Sequence, residues 1–344
     1  MRIAALEGIS PTDYLDASAS LAPFVPFCYF TPLGFYLGAL RNYPDSNSCL
    51  FRSCLSSIHG VESECFLVGN GAAELFTWCA RDASKVGSSL IPSPSFADYR
   101  RALKCWGSSY SYYPVFSSAA PDASTPLPIG PCTSALWICN PHNPSGRLWS
   151  RSALEPLLDR FPLVICDEAF LPLVRDGDAQ SLIPLVPNFP NLVVIRSLTK
   201  LYGVAGVRLG YAVAHPDRLA SWFSWRDPWP VNGFAVRLGE QLLRNPSLYR
   251  NWCRKIQRWS TCEGNWLRKQ LLGIPGITPV PSSANFLLAR GERSFLPLLE
   301  ALKSKSKILL RDCRSFEGLD DHWVRIGYQS RASNRRIVSA VRRE

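Results

Sequence analysis

None of the twelve cysteines stands in a CxxC pair, and their spacings do not repeat. Zinc ribbons and disulfide scaffolds are therefore not expected, nor is any metal site. Cys139 and Cys166 lie inside the apolar runs Trp137-Ile138-Cys139 and Val164-Ile165-Cys166, the setting of buried thiols in a reducing cytoplasm. Charge is also scarce, at 19% of residues, and lysine scarcer still, with 8 against 30 arginines. The formal net charge is +11, but the basic residues are not gathered into a run interleaved with aromatics. Nucleic acid is not an expected partner. Guanidinium groups suit bidentate binding of phosphate and carboxylate, so part of the arginine excess fits a small anionic substrate; a bias in arginine usage accounts for the remainder. No internal repeat or coiled-coil heptad is present.

Leu21 to Leu40 carries no charged residue, and its length matches a membrane span. Pro23, Pro26, Pro32, Gly34 and Gly38 interrupt any helix there, and no basic region precedes it as in a signal peptide. The segment reads as a buried, extended N-terminal arm, and no membrane is expected as a partner.

A chain of 344 residues with 47% hydrophobic content can bury a large core. Short apolar runs alternate with helical stretches, which predicts an α/β fold with a mostly parallel sheet. The expected strands are Ser88 to Ile91, Ser109 to Pro114, Ala135 to Cys139, Leu163 to Cys166, Leu192 to Arg196 and Leu209 to Val213. Ser117 to Ser134, with four prolines, reads as a surface loop. From about Val236 the pattern turns to long amphipathic segments, followed by the runs at Asn285 and Trp323. The expected domains are an arm over 1–40 belonging to the small domain, a large domain over 41–235 and a small α+β domain over 236–344.

In doubly wound sheets ligands gather at the carboxyl ends of strands. Lys200, the only lysine between Lys104 and Lys255, follows the run Leu192 to Ile195 directly. An amine there can form an imine with an aldehyde cofactor and later shuttle protons; a solvated surface lysine is the competing explanation. Ser197 and Arg208 flank it with a hydroxyl and a cation suited to phosphate. Asp167, at the end of another run, can hold a pyridine nitrogen protonated or simply cap the next helix. Gly69-Asn70-Gly71-Ala72 offers backbone N–H groups at a helix start.

The segments Tyr43-Pro44-Asp45, Gly69-Asn70-Gly71, Pro94-Ser95-Phe96 with Tyr99, Asn140-Pro141-His142-Asn143-Pro144-Ser145-Gly146, Asp167-Glu168-Ala169-Phe170, Ser197-Leu198-Thr199-Lys200 and Gly206-Val207-Arg208 occur in this order. With them the chain resembles the fold-type I pyridoxal 5'-phosphate (PLP) enzymes of the class I/II aminotransferase family, and within it the threonine-phosphate decarboxylase and histidinol-phosphate aminotransferase branches. The resemblance implies an aspartate-aminotransferase-like large domain with a seven-stranded type of sheet, plus a smaller α+β domain. It implies PLP as cofactor, with Lys200 as the Schiff-base lysine and Asp167 as partner of the pyridinium. Asn143 would donate to the phenolic oxygen, Phe96 would stack on the ring, and Gly71, Ala72, Ser197 and Arg208 would bind the phosphate. Tyr43 would reach a neighbouring subunit's site, which implies a homodimer. Arg325 matches the family's carboxylate-binding arginine, and Arg311 is a second anion anchor; an ordinary surface pair is the competing explanation.

Two departures from the family pattern bear on the reaction. Phe170 stands where the aminotransferases carry Tyr and where the decarboxylase branch carries Phe. Asp16-Ala17-Ser18-Ala19-Ser20-Leu21-Ala22-Pro23 resembles the family's opening motif but lacks its two asparagines. The stretches Ile308 to Asp320, Trp323 to Gly327 and Pro228 to Ala235 also resemble the decarboxylase. The expected activity is decarboxylation of L-threonine O-3-phosphate to (R)-1-aminopropan-2-ol O-phosphate for cobalamin biosynthesis. Histidinol-phosphate or aromatic aminotransfer is the alternative. A degenerate PLP-fold binding protein or a regulator is a third; the first should have lost Lys200, Asp167 or Arg208, and the second needs a winged helix, for which there is no room before Tyr43.

Overall fold

The computed structural model describes residues 13–26, 41–115 and 134–344, together with Ser10, Gly38 and Leu127. Most of the uncharged Leu21 to Leu40 stretch and most of the Ser117 to Ser134 loop lie outside the described residues. Thirteen strands occur among them, beginning with β1 (Leu15–Asp16), β2 (Phe66–Gly69), β3 (Ser89–Ser93), β4 (Tyr110–Pro114) and β5 (Ala135–Cys139). β6 (Val164–Asp167), β7 (Leu192–Ser197) and β8 (Gly210–Ala214) follow, then β9 (Ile277–Pro279), β10 (Phe286–Gly291), β11 (Ile308–Leu309), β12 (Arg311–Asp312) and β13 (Trp323–Gly327).

Seven strands form the main sheet in the order β2-β8-β7-β6-β5-β3-β4. β4, β3, β5, β6 and β7 run parallel, whereas β8 is antiparallel to both β7 and β2. Every residue of β5, β6 and β7 is buried, so these strands are unbroken rather than alternating apolar runs, as a sheet covered on both faces requires. The six strands expected from sequence all form, displaced by a residue or two at their ends, and Phe66–Gly69 completes the sheet. Because β5, β6 and β7 are parallel and in register, with Cys139 beside Asp167 and Asp167 beside Ile195, their carboxyl ends open side by side.

The second sheet is antiparallel, in the order β12-β13-β10-β9. The helix Pro246–Leu272 joins the two bodies: Tyr249, Trp252, Cys253 and Ile256 pack into the core of the main sheet, and Leu267 and Leu271 into that of the second. Its start is set by Asn245, whose side chain accepts from Ser247 N and Leu248 N, with Pro246 at the first helical position. The segment before Phe24 is tied to the C-terminal part of the chain, through a separate two-stranded sheet and through bonds to the second sheet and the loop before it. β1 pairs in parallel with β11, Gly327 N donates to Ala17 O, and Asn285 Nδ2 donates to Ser20 O. The same segment then reaches the main body, where Ala22 N donates to Lys200 O at 3.0 Å. Among the described residues no helix is long and apolar enough to cross a membrane.

Candidate active site

A cavity of about 370 Å3 opens where the carboxyl ends of β5, β6 and β7 meet the second sheet. Ala72, Phe96, Asn143, Asp167, Ser197, Lys200, Arg208, Arg311 and Arg325 line it, all of them singled out from the sequence. Gly71 lies directly behind Arg208. Its φ is +72°, and a Cβ there would stand 2.6 Å from Arg208 Nη2, so the guanidinium rests against the bare backbone at the start of the helix Gly71–Val86. Ala72 and Ala73 of that helix start line the cavity together with Arg208, and a helix start beside a cation suits a phosphate. Tyr43 is elsewhere: 79% exposed, its ring stacked 4.4 Å from that of Trp229.

Lys200 sits in the short helix Leu198–Tyr202, which begins at the last residue of β7 because Ser197 Oγ accepts from Thr199 N. Burial first, and then the guanidiniums of Arg325 and Arg208, push its amine down to about 8. Its Nζ lies 5.5 Å from the centre of the Phe170 ring. Asp167, the last residue of β6, is 6% exposed. Burial raises its carboxyl to about 6, against hydrogen bonds from Tyr99 Oη (2.6 Å to Oδ2) and Ala169 N (2.9 Å to Oδ1) that favour the charged form. Asp167 therefore does cap the following turn, with one oxygen, while the other is held by a tyrosine inside the cavity wall.

Next to Asp167 in sequence lies a member of a wholly buried ion pair. Glu168 accepts from Arg196 Nε at 2.9 Å, from Ser181 Oγ and from Leu182 N. It bridges the ends of β6 and β7, the two strands that carry Asp167 and Lys200. The Asn140–Gly146 turn, which presents Asn143, is fixed by Asn140, whose side chain bonds Trp149 N and Trp149 O, and by His142, which bonds Ser145 Oγ and Pro94 O. Gly146 presses on the second sheet's entry: a Cβ there would fall 1.9 Å from Ser282 Oγ.

Arg325 leaves β13 toward Asn143, donating from Nη1 to Asn143 Oδ1 and from Nη2 to Ser18 O at 3.0 Å. Its Nε is buried with no protein partner. Burial lowers its pKa to about 10, with Arg311 adding to the shift. Arg311 stands directly opposite Arg325 across the β12–β13 pair, and no salt bridge to either is present among the described residues. Four cations thus line the cavity against two carboxylates, Asp167 and Asp98, of which Asp98 is already paired with Arg101.

The sequence reading did not assign roles to Tyr99, Phe316, Thr199 or the Ser18–Ser20 backbone. Tyr99 could have been suspected from its place three residues after Phe96, one helical turn along. Ser20, where the family carries asparagine, points into the cavity with a buried Oγ that has no partner. A buried amine, a buried carboxylate and a guanidinium against a helix N-terminus in one cavity suit PLP.

The chain belongs to the aminotransferase class I and II family, whose model matches residues 37–341. It is a PLP-dependent enzyme of that family. It is 32% identical over 344 residues to the threonine-phosphate decarboxylase of Salmonella typhimurium, an alignment spanning 97% of this chain and 92% of that one. It is also 32% identical over 313 residues to the histidinol-phosphate aminotransferase of Symbiobacterium thermophilum, covering 89% and 83%. The crystal structure of L-threonine-O-3-phosphate decarboxylase from Porphyromonas gingivalis superposes with a TM-score of 0.83 at 25% identity, covering 95% of this chain and 98% of that one.

Proposed function

We propose that the protein decarboxylates L-threonine O-3-phosphate to (R)-1-aminopropan-2-ol O-phosphate, a step that serves cobalamin biosynthesis. One observation carries the reading: Arg311 and Arg325 stand side by side in the cavity with no carboxylate on either among the described residues, besides the Arg208 cradle. A substrate with a carboxylate and a phosphate supplies two anionic ends to such a site; histidinol phosphate supplies one.

In this reading Lys200 carries the cofactor, Asp167 holds its ring nitrogen, and Phe96 covers the ring. Gly71, Ala72, Ser197 and Arg208 hold its phosphate, and Asn143 its phenolic oxygen. Bound PLP supplies an aldehyde for the substrate amine and a ring that takes up the electron pair when the Cα–carboxylate bond breaks. Arg325 grips the carboxylate and sets that bond, while Arg311 takes the substrate phosphate. Lys200, with an amine near 8, can hold a proton at Nζ and deliver it to Cα after CO2 leaves. Phe170, in the cavity wall with Lys200 Nζ 5.5 Å from its ring, shields the departing carboxylate from water.

The same reading includes a cytoplasmic homodimer in which Tyr43 serves the neighbouring subunit, with a small domain over 236–344, a large one over 41–235 and an arm over 1–40. Exposed Tyr43 and Trp229 and the ten free described cysteines accord with it. The equal identity to a histidinol-phosphate aminotransferase favours aminotransfer as the second reading. Incubation of the purified protein with L-threonine O-3-phosphate distinguishes them. CO2 release without conversion of the cofactor to its amine form supports the decarboxylase. Amine-form cofactor from histidinol phosphate, with no CO2 from threonine phosphate, supports the aminotransferase.

A further inference from the structure

Two arginines placed directly opposite each other on an antiparallel pair repel, and a carboxylate between them would relieve the repulsion. Among the described residues no carboxylate answers the pair: Arg311 donates to Ser315 Oγ at 2.7 Å, and Arg325 to Asn143 and Ser18. What both guanidiniums share is an aromatic ring. The Cζ of Arg311 lies 5.4 Å from the centre of the Phe316 ring and that of Arg325 5.7 Å from it, both within the range of cation–π attraction. Phe316 is 2% exposed, lines the cavity, and follows the short turn Cys313–Ser315 that connects β12 onward. Phe286 adds a second face to Arg325 alone, at 4.8 Å. An aromatic face attracts a cation without neutralising it, whereas a carboxylate would occupy the donors a ligand needs.

We propose that Phe316 is the positioning residue for two-anion recognition: it holds Arg311 and Arg325 together in the cavity while leaving both free to bind the substrate's phosphate and carboxylate. The proposal rests on the decarboxylase reading for the identity of the two anions. It assigns to an apolar side chain, with no donor or acceptor of its own, control over the binding of the most polar part of the substrate.

The experiment uses the PLP-loaded enzyme and reads ligand binding through the change in cofactor absorbance, so that turnover is not the only signal. Phe316→Met keeps volume and apolarity but removes the ring face; Phe316→Tyr keeps the ring. Three probes are titrated: L-threonine O-3-phosphate, L-threonine and 1-aminopropan-2-ol phosphate. The Met variant should bind threonine phosphate at least about tenfold more weakly, through KM rather than kcat, and each one-anion probe less than about threefold more weakly. The Tyr variant should stay within about twofold of wild type on all three. If the Met variant fails to retain cofactor, Phe316→Leu takes its place. Binding of threonine phosphate unchanged in the ring-free variant, or an equal loss in the Met and Tyr variants, overturns the proposal. Failure of the decarboxylase reading has a different signature, in which the wild type itself does not respond to threonine phosphate. In that event the same variants are titrated with histidinol phosphate, and a Met variant equal to wild type there also overturns the role of Phe316.

Discussion

Asp167 ends β6 and Lys200 lies in the short helix directly after the neighbouring parallel strand β7, in the centre of the main sheet, and local bonds from Ala169 N to Asp167 and from Thr199 N to Ser197 place them, with Tyr99 as a distant partner. Arg311 and Arg325 come from the second sheet; Arg325 completes its contacts with Ser18 and Asn143, drawn from distant parts of the chain, and both share the ring of Phe316, which follows β12 closely in sequence. The first half of the cavity is built on fully buried strands braced by a buried ion pair. The second depends on how the arm, the small sheet and the Asn140–Gly146 turn are seated against one another. On the proposed reading, the chemistry common to the family belongs to the first half and substrate choice to the second.

The largest expected effect is at the first half. Lys200→Ala should abolish turnover, and borohydride reduction of the wild type should fix the cofactor covalently at Lys200 and nowhere else, as peptide mapping would read. Asp167→Asn should keep the fold and some cofactor but lose most turnover, because a neutral amide does not stabilise a protonated ring nitrogen. Near-normal turnover would reduce Asp167 to its capping bond with Ala169.

Next comes the buried pair that ties the two strands. Arg196→Leu leaves Glu168 without its partner in a site where both are about fully buried, and should lower unfolding stability by about 3 to 5 kcal/mol in denaturant titration. A loss confined to turnover, with stability unchanged, would contradict the bracing role.

At the substrate half, Arg325→Ala should cost about 2 to 5 kcal/mol in kcat/KM for threonine phosphate while leaving the cofactor's absorbance intact, and Arg325→Lys should restore only part. Arg311→Ala should harm threonine phosphate at least as much as histidinol phosphate. A changed cofactor spectrum in Arg325→Ala would erase the distinction between the two halves.

The pH dependence sharpens the same comparison. The free amine is the form that condenses with an aldehyde, so cofactor uptake by the apoprotein should rise as pH passes about 8 rather than near 10.5. Removing the Arg325 cation takes away one cause of the lowered value, so the midpoint should move up in Arg325→Ala. His142, fully buried and pushed down to about 3 by burial, binds its proton more readily when unfolded. Its contribution to stability should therefore be intact above about pH 6.5 and decline below it, by at most about 1.4 kcal/mol per unit. The smallest effect is expected at Tyr99→Phe, which removes the 2.6 Å bond to Asp167 and should lower kcat by about tenfold with little change in KM.

The strands β3 to β8 were legible in the sequence, and so were the carboxylate that ends β6 and the lysine just after β7, because buried parallel strands such as β5, β6 and β7 are continuous apolar runs and the residue that ends such a run is placed by it. So was the glycine that lets Arg208 rest on a helix start, through its spacing in Gly69-Asn70-Gly71. That Tyr99 holds Asp167, that Glu168 pairs with Arg196, and that Phe316 lies beside two opposed arginines were decided only by the tertiary structure. Each joins residues 28 or more positions apart, or opposes two short strands whose register no local pattern records. Side-chain periodicity reports which face of an element is buried. It carries no information on which distant side chain arrives there, and in this protein the arrivals set the charge balance of the cavity.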